Sequence, residues 1–300
     1  ILPFSLKRIL RIFDFIKKYD PDVLQGWMYH GDLLASIFGF VFKKKVFWNI
    51  RHGKMSLKFS SKKTLLLRFF LSIISHFSPK KIISCSNCGV FVHQKIGYTN
   101  KKFVVIHNGI KLENNLIKDY RDISKKDIIK IGSIGRNNPQ KNRKYFIDIV
   151  CKLNKFRRIE SLIYGRGITN SLSLRNLISK KKYNIQLYES KNNINDILSQ
   201  LDILLVTSTY GEGCPNVIIE AMKFGIIVMS TDVGDSKYII NNKRLILPNK
   251  NSAKSFYKIK KIIEAKDLNN IILDCKNRAN KLFSEENMIK KYEDIWATTL

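Results

Sequence analysis

Apolar positions in the first twenty residues recur at helical spacing. Leu6, Ile9, Leu10, Phe13 and Ile16 share one face of a helix over residues 5–19. Asp20-Pro21-Asp22 ends it, because proline cannot continue the helical hydrogen bonding. Short strand-type runs follow at 23–24, 46–50, 82–84 and 103–106, with helical stretches between them. This is the βαβ rhythm of a parallel sheet. Asn108-Gly109 is a turn signal, and residues 111–127 are polar enough to read as a linker. The rhythm then restarts. Strands are predicted near 128–134, 160–164, 184–188, 202–207, 226–230 and 244–247. Helices are predicted near 142–155, 170–180, 193–200, 216–224, 253–265 and 267–282, with a last one at 285–297. The runs at 203–206 and 226–229 are apolar throughout, as strands covered on both faces must be.

The pattern predicts an α/β protein of two domains with parallel sheets. Residues 1–110 form the first, 111–127 the linker and 128–284 the second, with 285–300 packing back on the first. Such proteins bind ligands near the carboxyl ends of their strands, between the domains. A chain of 300 residues, 44% hydrophobic and 11% aromatic, is long and apolar enough for this. Five cysteines make no disulfide framework, and no signal peptide is apparent, so a cytoplasmic setting is expected. Cys85 and Cys88 form a C-x-x-C without a second pair, and read as ordinary cysteines near a strand end rather than as metal ligands.

Charge adds a question. Lys and Arg total 54 against 24 acids, a net charge of +30. Nucleic acid, an anionic membrane or phosphate-rich substrate, and codon usage that crowds the chain with Lys, Asn and Ile are the competing origins. The cations are scattered, without Arg-Gly repeats, zinc-finger spacing or RNP-like aromatic motifs, so nucleic acid is not an expected partner. No apolar run reaches the roughly eighteen residues of a membrane span. The nearest, 65–77, is broken by Arg68, Ser72 and Ser75 and follows Lys62 and Lys63. It reads either as a partly buried helix or as one lying on a membrane surface.

Three loops after strands carry candidate chemistry. After 128–134, Gly135 allows a sharp turn, and Arg136 and Lys141 flank a helix start, where two cations suit a diphosphate. Taken alone, the segment reads more simply as a turn with two solvated cations. Gly165-Arg166-Gly167 implies close backbone approach to a ligand or to a neighbouring element. After 203–206 comes Glu212-Gly213-Cys214-Pro215-Asn216-Val217, with Glu220 about one turn into the following helix. Pro215 and Asn216 start helices well, and backbone N–H groups there favour anionic oxygen. Two carboxylates around a helix start can accept hydrogen bonds from sugar hydroxyls. Alternatively, Glu220 merely complements the helix dipole.

Together, Gly135-Arg136…Lys141-Asn142, Gly165-x-Gly167, Glu212-Gly213-x-Pro215-Asn216-Val217…Glu220-Ala221-Met222, Gly225 and Thr231-Asp232-Val233-Gly234-Asp235 resemble the family-four retaining glycosyltransferases of the GT-B fold (glycosyl transferases group 1). Glu212 and Glu220 match the family's E-x7-E motif, and residues 105–110 resemble its inter-domain segment. The resemblance implies two Rossmann-like domains, and transfer of a sugar from a nucleoside-diphosphate sugar to a cell-surface glycan or lipid-linked acceptor, of the lipopolysaccharide or capsule type. It implies Arg136 and Lys141 on the diphosphate, Glu212 on donor-sugar hydroxyls and Glu220 on the ribose. Gly135, Gly165, Gly167 and the backbone of Gly213, Cys214, Pro215, Asn216 and Val217 would line the donor. Base recognition would fall near Tyr188–Ser190, where the chain diverges. His30, within Trp27–Asp32, would sit near the acceptor, although a lone histidine also reads as structural; His52, His76 and His93 are assigned no role. No metal or other cofactor is expected. An anionic membrane, on the inner face of the plasma membrane, is a further expected partner. In the family a strand and glycine-rich loop precede a helix like 5–19, so an incomplete acceptor-side domain is expected. A weak or inactive transferase that still binds nucleotide, and a GT-B nucleotide-sugar epimerase, are the alternatives.

Overall fold

A computed structural model of the chain describes residues 5–53, 61–111, 123–181 and 183–298. Most of the expected linker, 112–122, lies outside the described residues. Ile123–Lys125, which follow, form a short 3-10 turn with Ile123 buried. The chain divides into two compact units. One comprises residues 1–109, 211–214 and 286–300, the other 110–210 and 215–285.

The first unit runs α1 (Leu6–Tyr19), β1 (Val23–Gln25), α2 (Met28–Val41), β2 (Lys45–Ile50), α3 (Lys62–Ile74), β3 (Lys81–Ser84), α4 (Asn87–Gln94) and β4 (Phe103–Val105). Its four strands pair in parallel in the order β1-β2-β3-β4. Adjacent residues of β3 show why both faces are apolar. Ile82 joins Trp48, Leu33, Leu67 and Leu71 in the core beneath α2 and α3. Ile83 joins Ile106 and Tyr292, with Met288, Ile295 and Trp296 packed around them. Neighbouring strand residues point to opposite sides, so the second face belongs to the helix carrying Tyr292. In α1 the inward face is Ile9, Ile12, Phe13 and Ile16, packed on Leu34 and Phe38. Leu6 and Leu10, expected on that face, are exposed instead.

The second unit runs β5 (Ile129–Ile134), α5 (Arg143–Leu153), β6 (Ile159–Tyr164), α6 (Leu172–Ser179), β7 (Ile185–Tyr188), α7 (Asn195–Leu198), β8 (Ile203–Val206), α8 (Asn216–Phe224), β9 (Ile227–Thr231), α9 (Ser236–Ile240), β10 (Ile246–Leu247), α10 (Ser252–Ile263) and α11 (Leu268–Leu282). A final helix, α12 (Glu285–Ala297), carries Tyr292. All pairings are parallel, in the order β10-β9-β8-β5-β6-β7. Chain order thus reverses between β5 and β8. In doubly wound sheets this switch point opens a crevice beyond the strand ends, where ligands bind. β8 is buried along its whole length, which explains its unbroken apolar run. The five-residue α9 was not anticipated, because it is too short to show helical periodicity.

Candidate functional site

The loops leaving β5 and β8, at the switch point of the second unit, are bonded to each other. Thr207 donates its hydroxyl hydrogen to the Lys141 carbonyl at 3.0 Å, and the Thr209 N–H donates to the Gln140 carbonyl at 3.0 Å. The β5 loop is shaped by its asparagines. Asn138 accepts the Lys141 N–H, which closes a 3-10 turn over Pro139–Lys141. Asn142 takes left-handed φ of 46° and caps α5 by accepting the Tyr145 N–H at 3.3 Å. Asparagine tolerates that conformation and caps well. The loop therefore leads directly into a helix N-terminus, which favours anions.

Glycine is required at the start of this loop. At Gly135, φ is 137°, and an added Cβ would lie 2.7 Å from the Lys141 Cε and 3.4 Å from its Nζ. The lysine side chain therefore crosses the Gly135 backbone and brings its ammonium to the end of β5. Arg136 beside it is exposed. At Gly165 a Cβ would lie 1.9 Å from the Gly135 carbonyl oxygen. The close approach left open by the sequence is thus to a neighbouring turn. Gly167 has φ of 74° and only ordinary space around it. Its N–H and that of Thr169 each donate at 3.3 Å to the Glu189 carboxylate, which also accepts the Thr169 hydroxyl at 2.6 Å. These hydrogen bonds hold the Glu189 carboxyl below its ordinary range. Tyr188 stacks on Tyr164 with ring centroids 4.8 Å apart.

Arg143, outside the motifs legible in the sequence, is the first residue of α5 and only 6% exposed. It donates to the Ser133 hydroxyl and, at 2.5 Å, to the Gly135 carbonyl. The available signal was a cation in a first helical turn, where the dipole disfavours it.

α8 starts at Asn216 with Pro215 as an extended N-cap and no side-chain cap, so Asn216 begins the helix without capping it. Glu220 lies beyond the first turn, which carries no acid. The dipole effect fades within that turn, and burial pushes the Glu220 carboxyl above its ordinary range. Complementing the dipole therefore does not account for Glu220.

The segment 211–214 packs within the first unit, whereas Pro215–Glu220 belong to the second. Glu212 is buried. A Cβ on Gly53 would lie 2.0 Å from the Glu212 carbonyl oxygen, and one on Gly213 would lie 2.9 Å from both the Arg51 oxygen and the Cys85 Sγ. Asn108 accepts from the Arg51 guanidinium at 2.6 Å and donates to the Cys214 carbonyl at 3.3 Å. Glu212, Gly213 and Cys214 are thus seated against the ends of β2 and β3 by two glycines that leave no room for side chains.

His30 is half-buried in the first turn of α2. Its neighbours form a buried polar cluster that the sequence did not reveal. The Tyr29 hydroxyl is 2.9 Å from His93 Nε2, and His93 Nδ1 is 2.7 Å from the Gly89 oxygen. Asp32 accepts the Asn49 N–H at 3.1 Å, while its other oxygen and the Tyr98 hydroxyl have no partner among the described residues. Burial pulls the His93 pKa down to about 4 and holds Asp32 well above the usual carboxylate range. The two shifts act oppositely on stability. Between pH 6.5 and 4 the unfolded chain protonates this histidine and the folded chain does not, so its stabilising contribution is lost on acidification. Asp32 holds its proton to higher pH when folded than when unfolded, so its contribution is lost as pH rises above about 4. Asp32→Asn should therefore leave a chain that loses on the order of 3 kcal/mol from pH 6.5 to 4. His93→Gln should reverse the slope. Urea unfolding across this range checks both, and parallel slopes in the two variants would refute the assignment.

Residues 125–265 match the family model described as Glycosyl transferases group 1. An uncharacterized glycosyltransferase of Methanocaldococcus jannaschii is 24% identical over 250 residues, covering 77% of this chain. The chain spans 60% of that relative's length. Among solved structures, the chain resembles Anabaena HepE in complex with UDP-glucose, with a TM-score of 0.82 at 16% identity over 97% of this chain and 82% of that one. It resembles sucrose-phosphate synthase of Thermosynechococcus elongatus at a TM-score of 0.82 and 13% identity, over 98% of this chain and 77% of that one. A glycosyltransferase from Rickettsia africae gives 0.73 at 20% identity, over 97% and 80%. The α/β fold with two parallel sheets is that of GT-B glycosyltransferase structures.

Proposed function

We propose that this chain, with residues 125–265 as its glycosyl transferases group 1 domain, transfers a hexose from a nucleoside-diphosphate sugar to a cell-surface glycan or lipid-linked acceptor, with retention of configuration. The observation that carries the reading is the loop 135–142. It delivers Lys141 and Arg136 to the switch point between β5 and β8, immediately before the N-terminus of α5. Cleaving the sugar–phosphate bond leaves negative charge on the diphosphate. Fixed cations and helix-start N–H groups stabilise that charge as it develops. Glu220 serves the ribose and Glu212 the sugar hydroxyls, while His30 lies toward the acceptor. A clamp of side-chain cations does this work without a metal.

The test is a thermal-unfolding screen of the full chain against uridine-, guanosine- and adenosine-diphosphate sugars. One of them at a hundred times its dissociation constant should stabilise the protein by about 2.7 kcal/mol, and the same donor should be consumed when acceptor is present. If no member of the panel shifts the transition, the donor assignment is wrong.

The acceptor side of the proposal includes an anionic membrane. α3 buries Leu67 and Leu71 but leaves Leu66, Phe69, Phe70 and Ile73 in solvent, followed by Phe77 at 83% exposure. Lys62 and Lys63 are exposed on its first turn. No helix among the described residues is long and apolar enough to cross a bilayer. Aromatics beside cations suit the surface of an acidic bilayer. Sedimentation with phosphatidylglycerol vesicles should exceed that with neutral phosphatidylcholine and fall with salt. Phe69→Ser with Phe70→Ser should reduce it without lowering the melting temperature. Equal binding to both vesicle types would remove the membrane from the reading.

A further inference from the structure

We infer that Arg143 is a third cation of the donor site, turning the Gly135 carbonyl inward and holding a buried positive charge whose counter-anion is the diphosphate. The inference rests on the nucleoside-diphosphate reading of the same loop.

Four observations lead to it. First, Arg143 is almost wholly buried, yet both groups it donates to, the Ser133 hydroxyl and the Gly135 carbonyl, are neutral. Its Nε has no partner among the described residues. Second, burial alone shifts its pKa, to about 10, with no carboxylate among the described residues offsetting it, so it remains charged at neutral pH. Removing a cation from water without a counter-charge is strongly unfavourable. Third, it opens α5, where the helix dipole adds to that cost. Chain stability alone gives no reason for a guanidinium there. An anion arriving above Gly135 does, because it turns an uncompensated charge into a paired one.

The fourth observation is the Gly135 carbonyl itself. Arg143 holds it from one side, and the Gly165 backbone closes on it so tightly that a Cβ there would lie 1.9 Å away. Lys141 meanwhile passes over the Gly135 Cα. With the carbonyl dipole pinned by Arg143, its negative end is neutralised at the turn where the phosphate charge must sit. Arg143 is thus a positioning residue, acting through Gly135 and through its field.

Two substitutions in the full chain separate charge from bracing. Arg143→Gln keeps a donor for the Gly135 carbonyl but removes the charge. Arg143→Lys keeps the charge and loses the planar fork. Calorimetric titration would use UDP and inorganic pyrophosphate, alongside the melting temperature of each unliganded variant. Arg143→Gln should weaken both ligands by roughly tenfold to a hundredfold, the scale of a hydrogen bond or pair to a charged group. Its unliganded melting temperature should be unchanged or higher. Arg143→Lys should fall between it and the parent. If Arg143→Gln binds both ligands as the parent does, or if it loses melting temperature while Arg143→Lys fares no better, Arg143 is only a brace and the inference is overturned. If the parent itself binds neither UDP nor pyrophosphate, the donor reading fails, and the inference with it.

Discussion

A chain carrying both Arg136→Ala and Lys141→Ala is expected to lose nearly all measurable affinity for nucleoside diphosphates. Each change alone should cost about 1–3 kcal/mol, the scale of a hydrogen bond to a charged group. The pair should cost less than the sum, because in the proposed clamp both cations would face the same phosphates and their effects would couple. The geometry makes the two unequal. Lys141 is held across Gly135, with its stem against the backbone, so less entropy is lost when its ammonium meets a phosphate. Arg136 is exposed and must be immobilised on binding, so its net contribution should be the smaller. Lys144→Ala is the control: it removes an equally formal charge from an exposed position on the first turn of α5. Titration calorimetry should show affinity unchanged in the control and sharply lower in the double variant. Affinity within about twofold of the parent in the double variant, under half a kcal/mol, would dismantle the clamp.

Gly165→Ala is expected to destabilise the second unit by about 3 kcal/mol or more. The new methyl would lie 1.9 Å from a backbone carbonyl oxygen, and overpacking against backbone has no cheap relief. That oxygen belongs to Gly135, whose N–H is already committed to the Tyr164 carbonyl at 2.9 Å. The turn cannot retreat without breaking the end of the β5–β6 ladder. Gly167→Ala, two residues on, meets nothing closer than 4.0 Å, so it should pay only for its left-handed backbone, about 1–2 kcal/mol. Urea unfolding of the two variants should rank them in that order, with diphosphate affinity reduced in Gly165→Ala. Equal midpoints for both would mean that the two turns are not in contact.

The two-sheet architecture was legible because parallel strands covered on both faces leave unbroken apolar runs, and loops at their ends leave glycine, proline and asparagine. Residues 203–206 and 216–224 were read with nearly the bounds they have. The inward face of α1 was read less well. Spacing alone made Leu6 and Leu10 equivalent to Ile9 and Phe13, whereas Leu34 and Phe38 receive only the latter pair. The Gly165 signal was seen but could not be resolved between ligand and neighbour, since glycine reports only that something is close.

By itself, the sequence determined the class of fold, the order of its elements and the loops that bear cations and carboxylates. These follow from local periodicity and from residue types with strong backbone preferences. Tertiary structure alone decided which distant groups share an environment. It placed Gly165 against Gly135, and left Arg143 buried with no acid beside it among the described residues. It seated Glu212, Gly213 and Cys214 against Gly53 and Cys85, and enclosed Asp32 and His93 in a low-dielectric core where their proton affinities move in opposite senses on stability. Burial and charge compensation depend on neighbours brought in from tens or hundreds of residues away, and no periodicity within a window of sequence encodes them.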